Sequence, residues 1–557
     1  VSELSVLIGG KAGFGIDKAS LIIASLVSRL GYRIYINRDY PSLIRGGHTF
    51  SIIRASTEKV FAHRDSIDVL LALNQETVEI HKSRLKSASI LIYDSDLTVS
   101  HPITCVKYAA NIPLSTIIKE EHAEEVMRNT CIIGAFAKSV GIEWDVLSAI
   151  IKEFFPKEIE QNLKVARRAF DAAKEFTKID RSSRDRLPLV TGNEATALGL
   201  IRGGLESYIS YPMTPTSPIL HYLASLSEEV GVKVIHPESE ISVIMMALGM
   251  AYCGEKVAVG TSGGGFCLMT EGLSFSGMAE LPVVIVLGQR PGPSTGLPTY
   301  SCQTDLHFAL NAGQGEFTRF VIAPGDAEEA YSAALLALNI AWKYQIPAIV
   351  LTDKAMGEGY YSFDMEMCGD IKETLPLAWD RKDPYKRYSM TETGISAVAF
   401  PSEKDAIIKV NSYEHDESGL SIEDAATTIK MQDKRLRKEK YLAMELEGRE
   451  CVGVYGNKKS ATALLCWGSN KGVCIEVADA LGLKVIQPVV ISPFPIKEFK
   501  KSMDGIKKLI AVENNATGQL ARLIGGHGIS VNETILKYDG RNFGVEELTD
   551  RVRKVIG

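Results

Sequence analysis

The sequence has few cysteines and no pattern among them. Nine Cys occur in 557 residues, no Cys-x-x-Cys is present, and the tightest trio, Cys451, Cys466 and Cys474, lies in apolar or small-residue surroundings. That spacing points away from a disulfide scaffold and from a cysteine-held metal, and leaves a reduced, cytoplasmic chain as the expectation. An excess of positive charge is also missing: 62 Lys and Arg stand against 68 Asp and Glu. No global basic field favours nucleic acid. Long apolar runs are absent too. The longest candidates, near 241–253 and 331–350, are broken by Gly, Tyr, Lys and Gln, short of the ~18 residues that a membrane span needs.

What is present is ordinary globular material, 45% hydrophobic and 23% charged, with 47 glycines that cluster. At ~150 residues per domain, a prior of three or four domains follows. The first block, 1–180, opens with a strand-like run Ser5–Ile8, then Gly9, Gly10, Gly13 and Gly15, a helical pattern over Asp17–Leu30, and a short strand near Tyr32–Ile36. This is the order of a parallel α/β layer. One long amphipathic helix is expected over 143–176, and 178–187 reads as a polar linker. In the second block, 189–367, Val- and Ile-rich strands at Lys256–Gly260, Val283–Leu287 and Ala348–Thr352 predict a parallel sheet covered on both faces. Glu240–Cys253 is apolar nearly all round, which predicts a buried helix. Residues 368–456 alternate in charge and read as an extended connector with one helix over 421–447. Residues 457–557 return to α/β order. The expected fold class is multidomain α/β.

Two glycine clusters raise a ligand question. Gly10-x-x-Gly13-x-Gly15 follows a strand and precedes a helix, so its backbone N–H groups could cradle a phosphate or simply make a tight turn. Arg45-Gly46-Gly47-His48 fits either a β-turn or a phosphate-bearing ligand. The second block is richer. Tyr211-Pro212-Met213-Thr214-Pro215 follows one strand, Glu238-Ser239-Glu240 another, Thr261-Ser262-Gly263-Gly264-Gly265 a third, and Gln289-Arg290 with a Gly/Pro run a fourth. Ligands of open α/β sheets bind at that strand edge. Arg290 offers a planar fork for a carboxylate. A structural turn, a helix-capping acid and a solvated arginine are the plain alternatives at these positions.

These words together resemble a known family. GGKAGFG at 9–15, RGGHT at 45–49, YPMTPTSP at 211–218, PESE at 237–240, TSGGGFCLMTEG at 261–272, GQRPGPSTGLPT at 288–299 and VENNATGQLARL at 512–523 resemble the alpha subunit of 2-oxoacid:ferredoxin oxidoreductases with a gamma-type domain fused ahead of it. The resemblance implies a gamma-type α/β domain over 1–180, a pyrimidine-binding-type thiamine-enzyme domain over 189–367, the connector over 368–456, and a transketolase-C-like domain over 457–557. It implies CoA-dependent oxidative decarboxylation of a 2-oxoacid, 2-oxoglutarate or pyruvate, with electrons passed to ferredoxin. It places Tyr211, Thr214 and Arg290 at the substrate, and Glu240, with Glu238 competing, at thiamine diphosphate. It makes Gly13, Gly15 and Arg45 candidates for coenzyme A. The Gly-Asp-Gly motif for diphosphate and Mg2+ is absent, as is a cysteine run for a [4Fe–4S] cluster; the resemblance assigns both to a beta subunit, active with this chain as a heterodimer or heterotetramer. Two rivals are an arylpyruvate (indolepyruvate) oxidoreductase subunit, which normally carries ferredoxin-like cysteine runs, and a non-catalytic CoA-binding scaffold.

Overall fold

The computed structural model describes residues 2–42, 47–96 and 106–557. They form two compact units. The first takes in residues up to 190 together with 359–364 and 543–557; the second takes in 191–358 and 365–542.

The first unit is built on a mixed sheet. Across it lie Tyr108–Ile112, Leu85–Asp94, Ile67–Ala72, Glu3–Lys11, His48–Ser56, Arg33–Asp39, Tyr360–Ser362 and Leu189–Thr191. The expected strand–helix–strand order is present, but Glu3–Lys11 and Arg33–Asp39 are not neighbours. His48–Ser56 lies between them and runs antiparallel to both. The predicted long helix over 143–176 is two helices, Trp144–Phe154 and Ile159–Ala172. Pro156 explains the break, because proline lacks the N–H and disfavours helical geometry in the residue before it. The C-terminal helix Val545–Ile556, expected in the last α/β layer, belongs to this unit. Its Glu546 carboxylate accepts from Asp65 N–H at 2.8 Å and Ser66 Oγ at 2.6 Å.

The second unit holds two further sheets. The larger runs Val490–Ser492, Phe320–Ile322, Pro347–Asp353, Val283–Gln289, Val257–Ser262, Ser207–Ile209, Lys233–Ile235. All neighbours are parallel except the first pair. Every residue of the three central strands is buried, as the unbroken Val/Ile runs predict for a sheet covered on both faces. Helices Gly192–Arg202 and Ala327–Tyr344 pack so closely that a Cβ at Gly199 would lie 2.1 Å from the Tyr331 carbonyl oxygen. The smaller sheet runs Val452–Gly456, Lys484–Pro488, Thr462–Leu465, Lys508–Glu513, Glu533–Leu536. Within 368–456 the one α-helix among the described residues is Ala425–Leu446.

The helix expected to be buried all round, Glu240–Tyr252, is buried on one face only. Ile241, Met245 and Met246 are 55%, 46% and 43% exposed, and Leu268 on the next helix is 50% exposed. The uniform apolar pattern therefore covers both a core-facing side and an exposed side. No helix among the described residues is long and apolar enough to cross a membrane.

Candidate active site

The loops singled out from the sequence all leave the carboxyl edge of the larger sheet. After Ser207–Ile209 the chain makes the turn 210–216, with a cis bond between Thr214 and Pro215. Asn193 Nδ2 donates to the Pro215 carbonyl at 2.9 Å, and Ser210 Oγ donates to the Gly260 carbonyl at 2.8 Å. A Cβ at Gly288 would meet Thr216 Cγ2 at 2.7 Å and Pro215 Cγ at 2.8 Å. The proline loop is thus seated on strand Val283–Gln289, and glycine at 288 is what lets it approach. The helix that follows, Ser217–Val230, starts one residue earlier than expected, with Thr216 at its N-cap.

Arg290 is the first residue beyond strand Val283–Gln289, and its Nη1 donates to the Thr214 carbonyl at 3.0 Å. Thr214 therefore meets Arg290 through its backbone. Burial lowers the Arg290 guanidinium pKa, and the nearby Asp305 charge opposes that shift. Tyr211 is at the surface, 37% exposed, with its ring 6.1 Å from that of His236.

Glu240 and Glu238 are separated by burial. Glu240 begins its helix, is 4% exposed, and its Oε1 has no hydrogen-bond partner among the described residues. Glu238 points outward and accepts from Ser242 Oγ, the hydrogen bond that does most to lower its pKa. The run Thr261-Ser262-Gly263-Gly264-Gly265 is not a loop, as the sequence suggested. Its glycines are the first turn of helix Gly263–Ala279. A Cβ at Gly265 would lie 2.2 Å from Thr261 Oγ1 and 2.6 Å from Glu240 Oε1, so glycine there makes room for the buried carboxylate. Gly264, by contrast, faces open space.

One residue was not anticipated. Asp305 precedes helix Leu306–Asn311, and its N–H donates to Gln289 Oε1 at 2.9 Å, while Gln289 Nε2 donates to the Thr352 carbonyl at 3.0 Å. Its Oδ2 is buried with no hydrogen-bond partner among the described residues, 2.8 Å from where a Gly263 Cβ would be. Burial pushes the Asp305 carboxyl up to about 6, although a Thr304 hydrogen bond and the Arg290 charge pull it down. An acid in the loop after the Gly/Pro run was the available signal; its nearness to Arg290 is tertiary.

In the first unit, Gly13 and Gly15 both adopt positive φ, at 95° and 69°, with Gly15 capping helix Ile16–Ser28. Asn129 Nδ2 donates to the carbonyls of Phe14 and Gly15, each at 3.4 Å. A Cβ at Gly13 would meet nothing within 4 Å. Arg45 lies outside the described residues.

Comparison with known proteins accounts for this arrangement. Residues 5–172 match the family described as pyruvate ferredoxin/flavodoxin oxidoreductase, and residues 198–434 match pyruvate flavodoxin/ferredoxin oxidoreductase, thiamine diphosphate-binding. A 2-oxoacid:ferredoxin oxidoreductase subunit alpha from a Sulfolobus species is 33% identical over 100% of this chain and 97% of its own length. This chain belongs to the 2-oxoacid:ferredoxin oxidoreductase alpha subunits. Another member, a 2-oxoglutarate oxidoreductase subunit of Mycobacterium tuberculosis, is 28% identical over 100% of this chain and 92% of its own. The solved 2-oxoglutarate:ferredoxin oxidoreductase of Magnetococcus marinus, with 2-oxoglutarate, coenzyme A and succinyl-CoA bound, superposes with a TM-score of 0.92 at 30% identity over 100% of both chains. As an alpha subunit, the chain carries the family's thiamine diphosphate-binding domain and works in a multi-subunit oxidoreductase. The residues present suit that cofactor, since Glu240 Oε1 is a buried oxygen without a hydrogen-bond partner among the described residues.

Proposed function

We propose that this alpha subunit, with the gamma-type region fused ahead of it, catalyses oxidative decarboxylation of a 2-oxoacid, 2-oxoglutarate or pyruvate. One 2-oxoacid, one coenzyme A and two oxidised ferredoxins give acyl-CoA, carbon dioxide, one proton and two reduced ferredoxins. The observation that carries the reading is the Arg290–Thr214 bond on the same sheet edge as the buried Glu240, whose Oε1 has no hydrogen-bond partner among the described residues.

Each residue then has a chemical role. Arg290 pairs its planar fork with the substrate carboxylate and holds it in place for loss of carbon dioxide. The Thr214 carbonyl fixes the orientation of that fork, and Tyr211 covers the entrance. Thiamine diphosphate supplies, when bound, the carbanion that adds to the 2-oxo carbon. Glu240, rather than the exposed Glu238, holds the proton on the aminopyrimidine nitrogen. Gly13, with open space where a Cβ would go, and Gly15, packed against Asn129, stand at a helix start that suits a phosphate of coenzyme A. The diphosphate with its Mg2+ and the [4Fe–4S] cluster are assigned to a beta subunit. The exposed apolar face at Ile241, Met245 and Leu268, which borders a groove of about 950 Å³, supports an assembly partner.

Co-expression with the beta subunit tests this. The purified complex should reduce ferredoxin in a CoA-dependent way with at least one of a panel of 2-oxoacids. A correctly assembled complex with bound thiamine diphosphate and no turnover on any of them would overturn the reading.

A further inference from the structure

Three observations at the carboxyl edge of the larger sheet converge on Asp305. Its backbone is tied to the end of the Arg290 strand through Gln289, at 2.9 Å. Its charge and that of Arg290 act on each other. Its Oδ2 is buried beside Gly263 and has no hydrogen-bond partner among the described residues. A buried carboxyl oxygen without a donor favours a proton of its own.

The charge balance of the site makes this consequential. Among the described residues, Asp305 is the charge that acts on Arg290, so one cation stands against one anion. A second carboxylate, brought by the substrate, puts two anions beside one guanidinium. Two such anions do not both stay ionised in a partly desolvated site. Arg290 cannot change its charge in response, because guanidinium remains protonated. The other groups around Asp305 do not take over the part. Cys302, in the same loop, has its thiol pushed up to about 12 by burial and stays neutral. Thr304 and Gln519 are uncharged, and the helix Gly263–Ala279 presents glycine. His307 lies on the short helix that Asp305 precedes, and its N–H is bound to Gln519. Asp353, at the end of strand Pro347–Asp353, is also raised by burial, but its two oxygens accept from Ser301, Ser469 and the Met356 N–H, so the Asp305→Asn variant is what separates the two acids. Glu240 stands against Gly265, two positions along the glycine turn.

We infer that Asp305 is a proton-switching positioning residue of the substrate carboxylate subsite: it is ionised while it balances Arg290 alone, and takes a proton from solvent onto Oδ2 when a 2-oxoacid carboxylate pairs with Arg290. The inference rests on the function proposed above and adds the protonation step to it. Burial already raises the Asp305 carboxyl to about 6, and a second anion beside Arg290 raises it further. Binding then takes up one proton, and release returns it.

The test uses the assembled complex. The KM for pyruvate and 2-oxoglutarate is measured from pH 6 to 8.5 in wild type, Asp305→Asn and Asp305→Glu. Wild-type KM should rise by up to about tenfold per pH unit above the Asp305 range, because each binding event needs a proton. Asp305→Asn, already neutral, should show a KM that varies less than about twofold over the same range, and Asp305→Glu should restore the slope. A slope that persists unchanged in Asp305→Asn overturns the inference while leaving the 2-oxoacid assignment intact. A wild-type complex with no turnover on any 2-oxoacid overturns that assignment instead. Should the variants fail to assemble, calorimetry of wild type decides. Oxamate, an isostere of pyruvate, is titrated at pH 7.5 in two buffers of different protonation enthalpy. Uptake near one proton supports the switch, and uptake near zero, or no buffer-dependent binding heat at all, overturns it.

Discussion

Lys434 Nζ bridges the two carboxylate oxygens of Glu280, donating to Oε1 at 2.7 Å and Oε2 at 2.8 Å with both side chains closed off from water. Lys438 pairs with the same carboxylate, and Arg387 donates to the Glu280 carbonyl at 2.6 Å. Glu280 is the C-cap of helix Gly263–Ala279, in left-handed geometry. The connector helix Ala425–Leu446 is thereby bolted to the far end of the helix whose first turn builds the candidate site. Removing the acid alone leaves cations buried without a partner, a loss of about 3–5 kcal/mol. Glu280→Gln should therefore lower the chemical-denaturation midpoint far more than any single exposed charge change, as followed by circular dichroism.

Two adjacent glycines should respond in opposite directions. Gly264 sits in the first helical turn with open space where a Cβ would go. Gly264→Ala should stabilise the protein by about 0.5–1 kcal/mol, the usual gain from replacing helical glycine. Gly265→Ala drives a methyl against Thr261 Oγ1 and Glu240 Oε1. It should destabilise the protein and reduce turnover together. Thermal melts and steady-state rates on the two variants check this directly.

Arg290 separates charge from shape. Arg290→Lys keeps a cation but loses the planar fork, and the bond to the Thr214 carbonyl with it. The expected result is a strongly raised KM for 2-oxoacids. Truncation in Arg290→Ala should cost about 2–5 kcal/mol in kcat/KM, the range for a charged, partly desolvated pair. An unchanged kcat/KM for every 2-oxoacid would remove Arg290 from the substrate.

Much of this site was legible because its parts are local words. The Pro212 to Pro215 turn and Arg290 each follow a buried strand, which can be read from its apolar run, and Glu240 opens an apolar helix just after the short edge strand Lys233–Ile235. Three features were not legible, each for a physical reason. Gly263 to Gly265 looks like a loop because glycine weakens helices; it is a helix start because Glu240 needs the missing Cβ. Asp305 carries no local mark, since its bond to Gln289 and the field of Arg290 exist only once strand and loop are folded together. The two-faced character of Glu240–Tyr252 is invisible to periodicity, because its exposed face is as apolar as the face that meets the core. In the first unit, the strand order was misread for a similar reason: a strand–helix–strand word does not say which strand will slip between the two.

The two glutamates of the Glu238-Ser239-Glu240 run can be told apart at the cofactor. If Glu240 holds the aminopyrimidine proton, Glu240→Gln in the complex should still assemble and bind thiamine diphosphate. Its hydrogen–deuterium exchange at C2 of the bound cofactor, read by quenched NMR, should fall by about 10²–10⁴-fold, the typical contribution of a positioned acid. Glu238→Gln should leave that rate unchanged, since its partner is Ser242 at the surface. A large drop only in the Glu238 variant would move the assignment two residues along the chain.

Asp305 should also leave a signature in stability that is independent of substrate. Its folded carboxyl lies at about 6, above the ~3.9 of an exposed aspartate. An acid raised in this way binds its proton more tightly when folded. The folded state is therefore penalised as pH rises from about 4 through 6, and carries the full penalty above that. A shift of this size corresponds to about 2–3 kcal/mol at neutral pH. Asp305→Asn removes the ionisable group while keeping its size and its N–H bond to Gln289. The variant should gain stability over wild type at pH 7.5, and the gain should shrink steadily below pH 6 and vanish near pH 4. Urea unfolding of both proteins at a series of pH values gives that difference as a curve. A gain that did not depend on pH would mean that the Asp305 carboxyl titrates alike in the folded and unfolded chain, and a loss of stability at pH 7.5 would mean that it stands in an ordinary ion pair with Arg290.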